Sequence, residues 1–166
     1  MIYEHIVTTN KPFSFSEKSL KELNELKPKY PTSRALTLPV LWLIQTQQGF
    51  LSRESLEYVS KLLDIPVMHF YEVASFYTMY NLEPKGKKHI RICKTLSCQL
   101  RGCDELIDFL KSELNLKMHE TSKDGAFTLD ETECLGLCNE APCMLLNYEQ
   151  HDNLTIDKLK KLIKES

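Results

Sequence analysis

All six cysteines of this 166-residue chain lie after residue 90, and none occurs between Met1 and Tyr80. Four of them form two pairs. Cys93 and Cys98 are separated by four residues in CKTLSC, and Cys134 and Cys138 by three in CLGLC. Each pair follows a stretch that reads as a strand, so each sits in a loop whose backbone can curl around a small object. Gly136 supplies turn freedom within the second loop. Whatever the chain folds into must bring these two loops together.

An even cysteine count also permits disulfides, but that reading suits an exported and usually smaller chain. Residues 1–11 are polar, with Glu4, His5 and Asn10, and lack the basic region and apolar run of a secretory signal. No stretch is long and apolar enough for a membrane span; the richest, Leu36 to Ile44, is interrupted by Pro39. The expected setting is therefore the reducing cytosol, with membrane association only through partners. There, clustered thiols are more often metal or cluster ligands, or redox-active. Four thiolates from two loops make an all-cysteine site, the ligand set of a [2Fe–2S] cluster. Structural zinc is the rival, because its loops use similar spacings. Thioredoxin-type redox chemistry is weaker, as the chain has no C-x-x-C.

Cys103 and Cys143 repeat the four-residue interval after Cys98 and Cys138, so spacing alone leaves other ligand sets open. Position favours packing for both: Cys103 opens a helix, and Cys143 follows Pro142 at the entry to a strand. A helix beginning after Gly102 would bring N–H groups near Cys98, and Arg101 offers either a full charge or a solvated surface side chain. The five histidines are scattered without ligand pairing and read as structural or surface residues. The acidic run from Glu120 to Glu140 reads as a solvated face; beside a reducible cluster it would lower the potential. No G-x-G-x-x-G or Walker loop is present, so no nucleotide site is expected in this chain. A net charge of −2 gives no pull toward nucleic acid.

Two parts are expected, 1–82 and 83–166, joined at Glu83-Pro84-Lys85-Gly86. The first reads as helical. One helix starts near Ser16 with Leu20, Leu23 and Leu26 on one face; a second covers Ala35 to Gln48 and stops at Gly49. A third is capped by Ser52, and a fourth runs from Pro66 to about Tyr80. The fourth carries Phe70, Tyr71, Phe76, Tyr77 and Tyr80, which suit either a private core or a partner surface. In the second part, His89 to Ile92 reads as a strand and Asp104 to Leu114 as a helix. Leu116 to Met118 alternates like a strand, and Asp124-Gly125 signals a hairpin before Ala126 to Leu129. Met144 to Leu146 reads as a strand, and a helix closes the chain from about Thr155. The order β-α-β-β-β-α gives an α+β or α/β domain with a small sheet and helices packed on it.

CKTLSCQLRG followed by ECLGLCNEAP resembles the cluster motif of the 24-kDa-type subunit of NADH:quinone oxidoreductase (complex I), a thioredoxin-like [2Fe–2S] ferredoxin. RALTLPVLWLIQTQQGFLSRESLEYVSKLLDIP is similar to that family's N-terminal helical domain, YEVASFYTMY to the helix end that follows, and DNLTIDKLKKLI to its closing helix. The resemblance implies a helical docking domain followed by a thioredoxin-like domain with a small mixed sheet. It implies Cys93, Cys98, Cys134 and Cys138 as ligands of the cluster irons, with no catalytic residue and no catalysis by the chain alone. It implies a partner flavoprotein that binds NADH, FMN and a [4Fe–4S] cluster within a larger redox complex, and is compatible with a homodimer of the isolated protein. The same subunit type occurs in NAD-linked hydrogenases and formate dehydrogenases. Cys103 and Cys143 depart from the family's usual small or apolar residues.

Overall fold

The computed structural model describes residues 6–165, so Glu4 and His5 lie outside the described residues. The chain divides into two compact units, residues 1–84 and 85–166.

The first unit is helical because its caps and stops fall in the right places. Helix α1 (Glu17–Leu26) begins after Ser16, whose hydroxyl accepts from the Ser19 N–H at 3.2 Å. A single turn at Lys27–Lys29, with Pro28 inside it, ends this segment. A short turn over Ser33–Leu36 then leads into α2 (Thr37–Gln48), where Pro39 sits in the first turn and loses no helical bond. Gly49, with φ 88°, terminates α2 in the left-handed region that glycine enters without a Cβ clash. Helix α3 (Arg53–Leu63) opens with a reciprocal box: Ser52 caps the Ser55 N–H, and Ser55 caps the Ser52 N–H.

Helix α4 (Val67–Phe76) ends four residues before the expected Tyr80. Tertiary hydrogen bonds outcompete helix continuation there. The buried Gln45 amide donates to Met79 O at 2.8 Å and accepts from the Asn81 N–H at 2.6 Å, while the Tyr80 hydroxyl donates to Leu38 O at 2.9 Å. Burial pushes the Tyr80 hydroxyl up to about 12, with Tyr77 adding to the shift. The aromatic set therefore divides. Phe70, Tyr71 and Tyr80 join the core with Val40, Leu41, Ile44, Leu56 and Val59, whereas Phe76 is 76% exposed. Each fully buried aliphatic side chain in this core contributes about 1.5–3 kcal/mol.

The second unit is built on a five-stranded mixed sheet of β1 (Lys88–Cys93), β2 (Glu120–Thr121), β3 (Phe127–Thr132), β4 (Met144–Leu146) and β5 (Glu149–His151), ordered β2-β3-β1-β4-β5. The central pair β1–β3 is parallel; the other pairs are antiparallel. Register aligns Ile90 with Leu129 and Leu146, and Ile92 with Met144, giving one apolar face. A short helix, α5 (Leu96–Leu100), follows β1 and carries Cys98. The apolar face packs with Leu106, Ile107 and Leu110 of helix α6 (Cys103–Leu114) and Leu159 of helix α7 (Ile156–Glu165).

The sequence reading differs from this unit in three places. Residues 116–118 form no strand: Leu116 is buried in the core, and the chain reaches the sheet only after His119 turns at φ 64° and its N–H bonds Leu129 O at 2.7 Å. Strand β5 and helix α5 are too short to show a period. Asp130, expected on a solvated face, is only 9% exposed. His89 Nε2 lies 2.5 Å from its carboxylate, His119 Nδ1 3.0 Å and Lys85 Nζ 3.3 Å. Burial would push the Asp130 acid up, but these partners hold it well below the usual carboxylate range. Among the described residues no helix is long and apolar enough to cross a membrane.

Two consequences are measurable. Gly86 passes so close to β3 that a Cβ there would lie 2.6 Å from the Phe127 carbonyl carbon, main chain that cannot step aside. Gly86→Ala should destabilise the protein by about 1–3 kcal/mol in denaturant unfolding. In the first unit, the Glu54 carboxylate accepts from the Thr9 and Asn10 N–H groups at 2.9–3.2 Å and from the Thr9 hydroxyl at 2.9 Å. Desolvation raises its pKa, yet these hydrogen bonds prevail and lower it from 4.5 to about 2. A depressed folded-state pKa adds stability above the unfolded value, and that stability disappears as the pH falls through the folded one. Acid titration should therefore show stability falling between pH 4.5 and about 2, with Glu54→Gln flattening that dependence.

Candidate metal centre

Cys93 is the last residue of β1 and is paired in parallel register with Thr132, the last residue of β3. The loops that follow these strands therefore leave the sheet side by side at the same end. The first enters α5, which turns Cys98 inward and leaves Leu96 and Leu100 on its outer side, 71% and 78% exposed. The second holds Cys134 and Cys138 around Gly136, whose φ of 79° supplies the reversal. Strand β4 runs antiparallel to β1 and begins at the same end, just after Cys143. The Cys93 N–H donates to Cys143 O at 3.0 Å.

Three strand ends thus converge on a group of sulfurs. Those of Cys93, Cys98 and Cys143 all lie within 4.8 Å of one another and are buried. Cys98 Sγ and Cys143 Sγ are 3.7 Å apart. Cys134 and Cys138 form a second group, exposed, with their sulfurs 3.6 Å apart. Among the thiols read as packing residues, Cys103 is fully buried in the core with its sulfur 4.0 Å from Asp104 Oδ1. Burial, followed by the Asp104 charge, pushes its thiol up to about 11.

The two inner thiols differ electrostatically. Burial pushes Cys93 up, but hydrogen bonds from Thr95, from the Cys98 side chain and from the Leu135 N–H outweigh it, leaving its pKa below the ordinary thiol value. The Thr95 hydroxyl is 3.2 Å from Cys93 Sγ. Cys98 goes the other way, raised chiefly by burial. On the second loop the Gly136 N–H donates to Cys134 Sγ at 3.3 Å. The thiol group suits an anionic iron–sulfur cluster: Cys93, Cys98 and Cys143 gather at one end of the sheet, the Cys134–Cys138 pair stands on the adjacent loop, and hydroxyl and main-chain N–H groups are aimed at sulfur. Arg101 is exposed, in keeping with its surface reading. Cys98 belongs to α5 rather than to the start of α6, which Gly102 opens at φ 85°. Thr95 and Leu135 escaped the sequence reading; only loop membership marks them. The contact between Cys143 and Cys98 had one faint signal, the repeated four-residue interval.

A family model described as thioredoxin-like [2Fe–2S] ferredoxin matches residues 23–166. The chain belongs to this family, whose cofactor is the [2Fe–2S] cluster that the cysteine set fits. It is 43% identical to the E subunit of NADH-quinone oxidoreductase of Rickettsia typhi over 161 residues, 95% of both chains. It is also 43% identical to the same subunit of Rickettsia prowazekii over 160 residues, 95% of this chain and 90% of that one. Among solved structures, NAD+-reducing [NiFe]-hydrogenase shares the fold. In the H2-reduced state the TM-score is 0.71 at 20% identity, covering 82% of this chain and 23% of that one. In the air-oxidised state it is 0.65 at 22% identity, covering 76% and 23%.

Exposure sorts the thiols into two reactivity classes. In the metal-free chain, iodoacetamide should label Cys134 and Cys138 first and leave the four buried cysteines intact until the protein unfolds. Peptide mapping of the partly labelled protein checks this; early labelling of Cys93 or Cys98 would contradict the packing described.

Proposed function

We propose that this chain is the electron-carrying subunit of an NADH-quinone oxidoreductase and holds one [2Fe–2S] cluster through Cys93, Cys98, Cys134 and Cys138. The observation that carries the reading is the 43% identity to an NADH-quinone oxidoreductase subunit across 95% of both chains. The placement of the two cysteine loops at adjacent parallel strand ends supports the ligand set. When bound, the cluster supplies reversible one-electron exchange, here with the FMN of a partner flavoprotein that also binds NADH. The chain's own part is to hold and tune. Cys93 and Cys98 anchor the inner side, and Cys134 and Cys138 close the outer side. Thr95, Leu135 and Gly136 direct hydrogen bonds at sulfur, which favour the more negative, reduced state. No bond is made or broken by a side chain, so the chain contributes to catalysis only as a subunit.

Residues 1–82 serve as the docking part toward the rest of the complex. The exposed aromatic pair Phe76 and Tyr77, with ring centroids 5.0 Å apart at the end of α4, supports that role. The complex is cytoplasmic and meets the membrane through other subunits. The hydrogenase assembly is the less favoured setting, because that likeness stands at 20–22% identity.

The test is anaerobic purification with iron and sulfide analysis and EPR before and after dithionite. About two irons and two sulfides per chain, with a signal only after reduction, are expected for this cluster type. Serine at Cys93, Cys98, Cys134 or Cys138 should abolish or alter the signal, and Cys103→Ser should leave it unchanged. Zinc in place of iron after reconstitution, or unaltered spectra in the first four variants, would overturn the reading.

A further inference from the structure

Cys143 lies outside the proposed ligand set, yet its sulfur is 3.7 Å from that of Cys98. We propose that the Cys143 thiol donates a hydrogen bond to Cys98 Sγ and so raises the reduction potential of the cluster; this rests on Cys98 being a ligand.

The main chain around Cys143 is pinned on both sides. Its carbonyl accepts from the Cys93 N–H at 3.0 Å, and the preceding Pro142 carbonyl accepts from the Leu154 N–H at 3.0 Å. Its side chain is 1% exposed, within a core that includes Ile92, Leu106 and Met144. Water is therefore a poor partner, and the sulfurs of Cys98 and Cys93 lie within 4.8 Å as acceptors. Between two thiols either could be the donor. Ligation removes that ambiguity, because a thiolate bound to iron has no proton to give. The Cys143 S–H is then the only proton between the two sulfurs.

Direction follows from charge. Reduction adds one negative charge, part of which resides on ligand sulfur, so a donor aimed at that sulfur stabilises the reduced state more than the oxidised one. The Cys143 main-chain N–H also favours the Cys98 thiolate. Side-chain substitution leaves that N–H in place and isolates what the thiol adds. Cys143 is thus a tuning residue that acts through Cys98.

The experiment compares wild type with C143S, C143A and C143V, each reconstituted with iron and sulfide, assayed for both, and titrated electrochemically with EPR detection. C143A and C143V should keep a full cluster and shift to lower potential, and C143S, which still carries an O–H donor, should stay above both. Pulsed EPR of the reduced wild type after exchange into D2O should show an exchangeable deuteron near the cluster that C143A lacks. A full cluster with unchanged potential in C143A and C143V would overturn the proposal. Loss of iron from all three variants with the helical signal intact would also overturn it, by making Cys143 a ligand. A wild-type chain that takes up no cluster would instead defeat the ligand reading itself.

Discussion

The parallel pairing of β1 with β3 is the constraint on which the rest of the second unit depends. A parallel pair ends on the same side, so Cys93 and Thr132, neighbours in register, release their loops toward one point. Were the pairing antiparallel, the two cysteine pairs would leave opposite ends of the sheet, about six residues or some 20 Å apart. The antiparallel partner β4 then starts where β1 stops, which brings Cys143 to the same place. The side chains that hold the sheet, Ile90, Ile92, Leu129 and Met144, carry no chemistry of their own. They fix the register, and the register gathers the sulfurs.

Much of this was legible in residue order. The helix boundaries of the first unit follow from local chemistry that sequence displays: hydroxyl caps at Ser16 and Ser52, and the stops at Gly49 and Pro28. The end of α4 did not show, because Gln45 decides it from thirty-odd residues away by taking the Met79 carbonyl and the Asn81 N–H. Strand β5 and helix α5 have too few residues for a period to register. Asp130 looked like one more surface acid in an acidic run; its partners Lys85, His89 and His119 come from separate places in the chain. Only the fold shows that it is buried.

The candidate site shows the same division. Cysteine type and spacing pick out two loops, and the resemblance of CKTLSC and CLGLC to a known family picks out four thiols. Neither says which thiols lie deep and which lie at the surface. That asymmetry, with Cys93 and Cys98 buried and Cys134 and Cys138 exposed, comes from where each residue falls. Cys93 belongs to the central strand and Cys98 to an inward-facing helix position, whereas the other two ride on a loop without sheet pairing. The hydrogen-bond donors around sulfur are mostly main-chain N–H groups, which nearly every residue type carries and no sequence motif announces.

The uneven depth of the thiols also divides what can disturb them. Cys93, Cys98 and Cys143 share one core with Ile92, Leu106 and Met144, so a change of volume there is passed to their sulfurs through packing. Cys134 and Cys138 lie outside that core on a glycine-centred loop open to solvent, and feel such a change only through the loop. The inner sulfurs answer to the packing of the sheet, and the outer pair to whatever meets the surface.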